Sequence, residues 1–305
     1  MDEKLIELEV VKGGKRVDKY IALKVPDLSR SQVQRLIEEG LVKVNGQVAK
    51  PSYRVEVGDL VVIRVPPPKP LEIRPQPIPL DIVYEDEDIV VVNKPAGMVV
   101  HPGPGHRKGT LVGALLARYP DLAGVGQKLR PGIVHRLDKG SSGLLVVARN
   151  EEALRNLQGQ FKRRQVEKTY LVLIEGRLEP RQGVIEAPIG RDPKHRKRMA
   201  VVKDGKPART DYKVLEYLDQ HTLVEVKPVT GRTHQVRVHF AAIDHPLVGD
   251  PVYGFRKQRL GLKRQFLHAW KIGFALPSTG EQVEFTAELA GDLQDVLESL
   301  REVEP

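Results

Sequence analysis

Apolar positions change period several times along this chain, and each change marks an element. Val33, Leu36 and Ile37 recur at helical spacing behind Ser29 and Ser31, either of which can cap the helix, and Gly40 stops it. Leu41-Val42-Lys43-Val44 and Gln47-Val48 flank Asn45-Gly46, a two-residue hairpin turn, and Asp59-Leu60-Val61-Val62-Ile63 predicts another strand. Residues 66–79 then hold seven prolines, which forbid helix and central strand alike and predict a stiff, extended linker.

Beyond the prolines, Asp88-Ile89-Val90-Val91-Val92-Asn93 has the run of a buried strand. Asn150, followed by Glu151 and Glu152, caps a helix with Leu154, Leu157 and Phe161 on one face and a basic end at Lys162-Arg163-Arg164. Lys168 to Ile174 and Thr222 to Val226 read as strands, and Asp292 opens a terminal helix carrying Leu293, Val296, Leu297 and Leu300. Strands outnumber helices without alternating strictly. The pattern predicts an α+β fold with a mixed, largely antiparallel sheet, not a doubly wound one. The expected organisation is a small unit at 1–65, the linker at 66–79 and a main domain at 80–305.

The 305 residues, 40% of them hydrophobic, suffice for two domains with a well-buried core. Lys and Arg total 49 against 40 Asp and Glu, a net charge of +9 that favours a polyanionic partner such as nucleic acid. The chain has no cysteine, so a disulfide framework, a thiolate metal site and a cysteine nucleophile are all excluded. No apolar signal core follows Met1, and no run reaches the roughly 18 apolar residues a membrane helix needs. These features together predict a soluble, cytoplasmic protein.

Phosphate-cradling loops, the dinucleotide glycine fingerprint and the Gly-x-Ser-x-Gly elbow are all absent, so no cofactor is implied. His234 and His239 share a helical face poorly, and no metal site is predicted. The stretch that stands out is His135-Arg136-Leu137-Asp138-Lys139-Gly140-Ser141-Ser142-Gly143, between Ile133-Val134 and the apolar run Leu144 to Ala148. Asp138 is its only acid. Arg136 and Lys139 favour the ionised carboxylate, which suits a nucleophile or base, yet Asp-Lys-Gly is also an ordinary turn sequence. Arg232 sits in a turn before a helix with Val236, Phe240 and Ile243 on its buried side, where a guanidinium can pair with a carboxylate or phosphate. Tyr170 reads by default as a half-buried strand tyrosine.

Two resemblances organise these pieces. Arg16 to Tyr20, Ser29 to Val33, Gly40 to Gly46 and Val57-Gly58-Asp59 resemble the α-L RNA-binding domain of a small-subunit ribosomal protein and several RNA-modifying enzymes. That likeness implies a phosphate-facing surface built from Arg30, Arg35, Lys43, Lys50 and Arg54. From about Ile82 onward the chain resembles the pseudouridine synthases of the RluA/RluD type, through six ordered blocks. These are Val92 to His106, His135 to Leu144, Lys168-Thr169-Tyr170, Thr230 to Arg237, Gly249 to Gly254 and Leu267-His268-Ala269. The family commonly carries Asp-Thr where this chain has Gly140-Ser141, and the His-Pro-Gly-Pro-Gly stretch points to the RluD branch.

The second resemblance implies isomerisation of uridine in place: the N-glycosidic bond breaks, the uracil turns, and a ring carbon rejoins the ribose, with no cofactor or metal. It makes Asp138 the essential carboxylate, whether it attacks the ribose, attacks the uracil or removes a ribose proton. Tyr170 is expected to stack on the flipped base and move the proton from the new carbon bond. Arg232 is expected to pair with Asp138, and Arg136 to fill the gap in the RNA stack. Lys168 and His234 are expected as phosphate contacts or supporting partners. The expected partner is large-subunit ribosomal RNA, acted on by a monomer with no membrane contact. Transfer RNA as substrate, or a non-catalytic role in RNA binding or ribosome assembly, are the alternatives; a glycoside hydrolase would need a second acid near Asp138. Basic stretches at 191–209 and 256–264 are expected to guide RNA.

Overall fold

The computed structural model describes residues 3–66, 73–103, 105–195, 198–255 and 260–302. The chain forms two compact units, Met1–Pro70 and Leu71–Pro305. Among the described residues no helix is long and apolar enough to cross a membrane.

The first unit runs β1 (Lys4–Glu9), α1 (Val17–Lys24), α2 (Arg30–Glu38), β2 (Val42–Val44), β3 (Gln47–Val48) and β4 (Leu60–Val65). Its sheet has the order β1-β4-β2-β3 and is antiparallel throughout. Ser29 is the cap of α2: its Oγ accepts from Gln32 N at 3.3 Å, and Gln32 Oε1 accepts from Ser29 N at 2.8 Å. Asn45 and Gly46 turn the hairpin with φ of 50° and 81°, the left-handed pair that a two-residue connection requires. Val17, Ile21, Val33, Val42, Val61 and Ile63 form the core.

In the second unit the chain passes through β5 (Asp81–Glu85), β6 (Ile89–Lys94) and α3 (Leu111–Arg118), then the short hairpin of β7 (Gly126–Gln127) and β8 (Arg130–Pro131). It continues through β9 (Ser142–Ala148), α4 (Glu151–Arg163), β10 (Glu167–Glu175), β11 (Gln182–Glu186), β12 (Ile189–Arg191), β13 (Met199–Val201), β14 (Arg209–Leu218) and β15 (His221–Pro228). The last elements are α5 (Gln235–Ala242), β16 (Leu267–Ala275), β17 (Gln282–Thr286) and α6 (Gly291–Glu302). Among the described residues nine strands form one sheet in the order β11-β14-β15-β10-β16-β9-β6-β5, with β17 also on β16. The fold is therefore α+β with a mixed, largely antiparallel sheet, as expected.

The parallel pair in that sheet is β9 with β16, where Ser142 faces His268 and Gly143 faces Ala269. Gly143 has φ +106°, and a Cβ there would stand 2.3 Å from Ala269 O, so only glycine lets the strands approach. β9 is buried along its whole length, as its unbroken apolar run predicts. It packs with Val90, Val91 and Val92 of β6, Leu111 and Leu115 of α3, and Leu154 and Leu157 of α4. Asn150 Oδ1 caps α4 by accepting from Ala153 N at 2.8 Å.

Residues 67–72 of the proline-rich stretch lie outside the described residues. The remainder of the stretch is not a free spacer. Gln76 donates its backbone N–H to Gly113 O at 2.8 Å and accepts from Gly109 N through Oε1 at 2.7 Å, which lays this segment on the start of α3.

Candidate active site

The loop 135–141 is docked at both ends before it enters β9. His135 Nε2 accepts from Val146 N at 3.0 Å, and its ring stacks on Phe161 with centroids 4.8 Å apart. Burial, reinforced by Lys168, pushes this imidazole down to about 3, so it is neutral at physiological pH. At the other end Arg264 donates to Gly140 O at 3.1 Å and to Ser142 Oγ at 3.3 Å, and Gly97 N donates to Lys139 O at 2.7 Å. Lys94, wholly buried, closes the turn that carries Gly97 by donating to Pro95 O at 2.7 Å and Met98 O at 2.9 Å. Burial and the nearby Arg264 push its ammonium down to about 7, opposed by the charge of Asp138.

The Gly140 departure from the family pattern has a steric account. A Cβ at Gly140 would stand 2.5 Å from Gln265 Oε1, and the Gln265 amide donates to Ser141 Oγ at 3.2 Å. Gln265, itself buried, occupies the volume that a side chain at position 140 would need.

Asp138 is held from the far side by Arg237, whose Nη1 donates to Oδ2 at 2.9 Å. The same guanidinium grips Asp250 through Nε to Oδ2 at 2.7 Å and Nη2 to Oδ1 at 2.9 Å. Asp250 is buried and also accepts from the backbone of Val252 and Tyr253 at 2.8 and 3.0 Å. Desolvation opposes charge on both partners. The fork outweighs it, lowering the Asp250 carboxyl and raising the Arg237 guanidinium relative to their ordinary values. His234 Nε2 lies 3.8 Å from Asp138 Oδ2, and its Nδ1 is 3.0 Å from the Tyr253 hydroxyl. Burial lowers the His234 imidazole, against the pull of Asp138.

Arg232, expected as the partner of Asp138, does not hold it. It precedes α5 in the turn, where its Nε donates to Pro207 O at 3.1 Å, and it lines the cleft from a half-buried position. Arg237 lies inside α5, on the side turned toward Asp138 and Asp250. In sequence it resembles a polar interruption of Val236 and Val238. The available signal was Asp250, an acid in a matched block whose burial demands a cation. Arg237, Asp250, Tyr253 and Lys94 all belong to matched blocks, but sequence reasoning assigned them no role.

Arg232 and Arg237 both line a cleft of about 570 Å³. Asp138 and Tyr170 line it together with Arg136, Lys168 and His234. Tyr170, on β10, is half-buried; burial and then the Asp138 charge push its phenol up, so it keeps its proton at neutral pH. Arg136 is exposed at the rim, and Lys168 Nζ lies 5.9 Å from the Phe161 ring centroid, its pKa lowered by burial. Arg130, Lys162 and Arg164 add positive charge to the lining. Among the described residues no three His, Asp or Glu side chains converge to hold a metal ion.

In the first unit, Arg30, Arg35, Lys43, Lys50 and Arg54 are all exposed. Three of them also carry bonds within the unit: Arg30 to the buried Asp18 at 3.0 Å, Arg35 to Glu39 at 3.7 Å, and Arg54 to Gly14 O at 2.9 Å. Of the basic stretches, Arg196, Lys197, Arg256, Lys257 and Arg259 lie outside the described residues, as does Pro104 of the first block.

Residues 88–242 match the RNA pseudouridylate synthase family and residues 15–61 match the S4 domain. The chain is 54% identical to an RNA pseudouridine synthase of Chloroflexus aurantiacus over 99% of this chain and 95% of that protein. It is 44% identical to ribosomal large subunit pseudouridine synthase D of Zymomonas mobilis, over 92% of each. The solved structure of human RNA pseudouridylate synthase domain containing 1 is similar at a TM-score of 0.57 and 31% identity, covering 77% of this chain and 97% of that one. The Asp138 cleft thus lies in a chain that belongs to the RNA pseudouridine synthases of the RluA family, with an S4 domain ahead of its synthase domain.

Proposed function

We propose that this protein converts uridine to pseudouridine in large-subunit ribosomal RNA, with Asp138 as the reacting carboxylate. The observation that carries the reading is one carboxylate in a cation-lined cleft, with Oδ2 held by Arg237 at 2.9 Å and Tyr170 in the same lining. The naming of relatives such as that of Zymomonas mobilis for the large ribosomal subunit supports the substrate class. The exposed cations of the S4 domain suit sequence-independent contacts to RNA phosphates.

A base can reach Asp138 only after leaving its stack, which costs a few kcal/mol. Arg136, at the rim, fills the vacated space and offsets part of that cost. Tyr170 offers its ring as the platform for the flipped uracil. Asp138 then acts on the nucleoside with its position set by the Arg237 fork, so the carboxylate spends no energy on reorienting during reaction. The N-glycosidic bond breaks and a carbon–carbon bond forms; the ring carbon loses one proton and the freed ring nitrogen gains one. No co-reactant is consumed. Because the Tyr170 phenol rests protonated, it serves proton movement by passing its own proton on while receiving another.

The deciding experiment maps pseudouridines in ribosomal and transfer RNA from cells lacking this protein. Loss of large-subunit sites, restored by the wild-type gene, is expected. An intact ribosomal map with losses confined to transfer RNA would overturn the substrate assignment.

A further inference from the structure

A second cleft, of about 470 Å³, adjoins the same Arg237 cluster and is lined by Arg198, Asp250, Tyr253, Phe255, Leu262 and Lys263. The Nε of Arg198 is buried without a hydrogen-bond partner, and its guanidinium lies 5.1 Å from the Tyr253 ring centroid. Neither Arg198 nor Lys263 has an acidic partner among the described residues. Among the described residues the one acid in the lining, Asp250, is already saturated by Arg237 and two backbone N–H groups. Phe255 keeps 53% of its surface exposed, a large aromatic face beside two cations.

A guanidinium and an ammonium in one lining, beside an exposed aromatic ring, are the elements that hold a phosphate and stack a base in single-stranded nucleic acid. The volume falls within the roughly 300–1,000 Å³ usual for small-ligand clefts. The two clefts also share a wall. Tyr253 lines the second cleft while its hydroxyl meets His234, and Asp250 lines it while gripping the arginine that holds Asp138.

We propose that this cleft is a nucleotide subsite: it holds one phosphate and one stacked base of the same RNA strand whose uridine enters the Asp138 cleft. The inference rests on the pseudouridine-forming reading of that cleft. An occupied subsite anchors the strand against the residues that fix Asp138, so RNA bound there also seats the target.

The test uses the full chain and a fluorescently labelled large-subunit RNA fragment. Phe255→Ala is expected to raise Kd and KM about tenfold, in line with the loss of one base–aromatic stack, and Phe255→Trp to restore both. Lys263→Gln is expected to lower the slope of log Kd against log salt by about 0.7, the loss of one single-strand phosphate contact. Wild-type affinity and salt slope in Phe255→Ala and Lys263→Gln would overturn the subsite. So would uridine monophosphate binding that these variants abolish while RNA affinity stays unchanged, because the cleft would then serve a free nucleotide. Binding is read independently of turnover, so failure of this inference and failure of the pseudouridine reading are separate results.

Discussion

Arg237 and Asp250 form a two-point fork, at 2.7 and 2.9 Å, that leaves the remaining guanidinium nitrogen pointed at Asp138. One buried acid therefore positions the cation that positions the second acid. A lysine cannot reproduce this, since an ammonium is a point charge without a planar fork.

Arg237→Lys is accordingly expected to cut kcat/KM by at least about a hundredfold and to destabilise the second unit by roughly 3 kcal/mol, the cost of leaving a buried carboxylate badly paired. Arg232→Ala loses one exposed bond to the Pro207 carbonyl. Its unfolding free energy is expected to fall by about 1 kcal/mol or less. Urea unfolding and steady-state kinetics separate the two; equal losses would refute the division between them.

Asp138→Asn keeps the size of the side chain and removes its charge. Pseudouridine formation is expected to drop by more than about a thousandfold, with RNA affinity retained within a few-fold because phosphate contacts supply most of it. Tritium release from labelled uridine in RNA gives the rate, and turnover near the wild-type value would exclude Asp138 as the reacting group.

Gly140→Asp restores the residue common in the family but meets the Gln265 amide at 2.5 Å. The amide must swing away and forfeit its bond to Ser141, a cost of about 1 kcal/mol. Gln265→Ala opens that volume, so the double variant is expected to be more stable than the sum of the single changes, with a coupling of about 1 kcal/mol. Additive effects would mean the two positions do not compete for space.

Stability should fall as pH drops below neutrality. Burial pushes His135 down to about 3 and His268 down to about 4, whereas in the unfolded chain both take up a proton near pH 6.5. Between about pH 6.5 and 4 the unfolded state therefore binds more protons, and stability rises with pH across that window. The contribution is present above pH 6.5 and lost on acidification. Replacing His268 by Gln should flatten the dependence by close to one proton in urea titrations at pH 7 and pH 5.

Much of the fold was legible because its determinants are local. Asn45-Gly46 turns a hairpin through the conformational freedom of two adjacent residues, and Asn150 starts α4 by reaching an N–H three residues on. The apolar runs in β6 and β9 are buried on both faces, as unbroken runs must be. β1, with exposed ends, was not read from the sequence; its place in the sheet is set by pairing with β4 some fifty residues away. The choice of Ser29 over Ser31 likewise required seeing which hydroxyl met Gln32.

The order of the residue blocks sufficed by itself to place Asp138 and Tyr170 in one family of sites, since the loop and strand that carry them are set by patterns a few residues long. The partner of Asp138 was decided only by the tertiary structure. Arg237 lies 99 residues further along and reaches Asp138 because α5 and the loop 135–141 meet around the buried Asp250. Arg232 and Arg237 are equivalent as charges in a sequence, and only the direction in which the turn and the helix project them makes one a donor to the Pro207 carbonyl and the other the anchor of Asp138. Side-chain direction follows from backbone geometry and packing, which long-range contacts set.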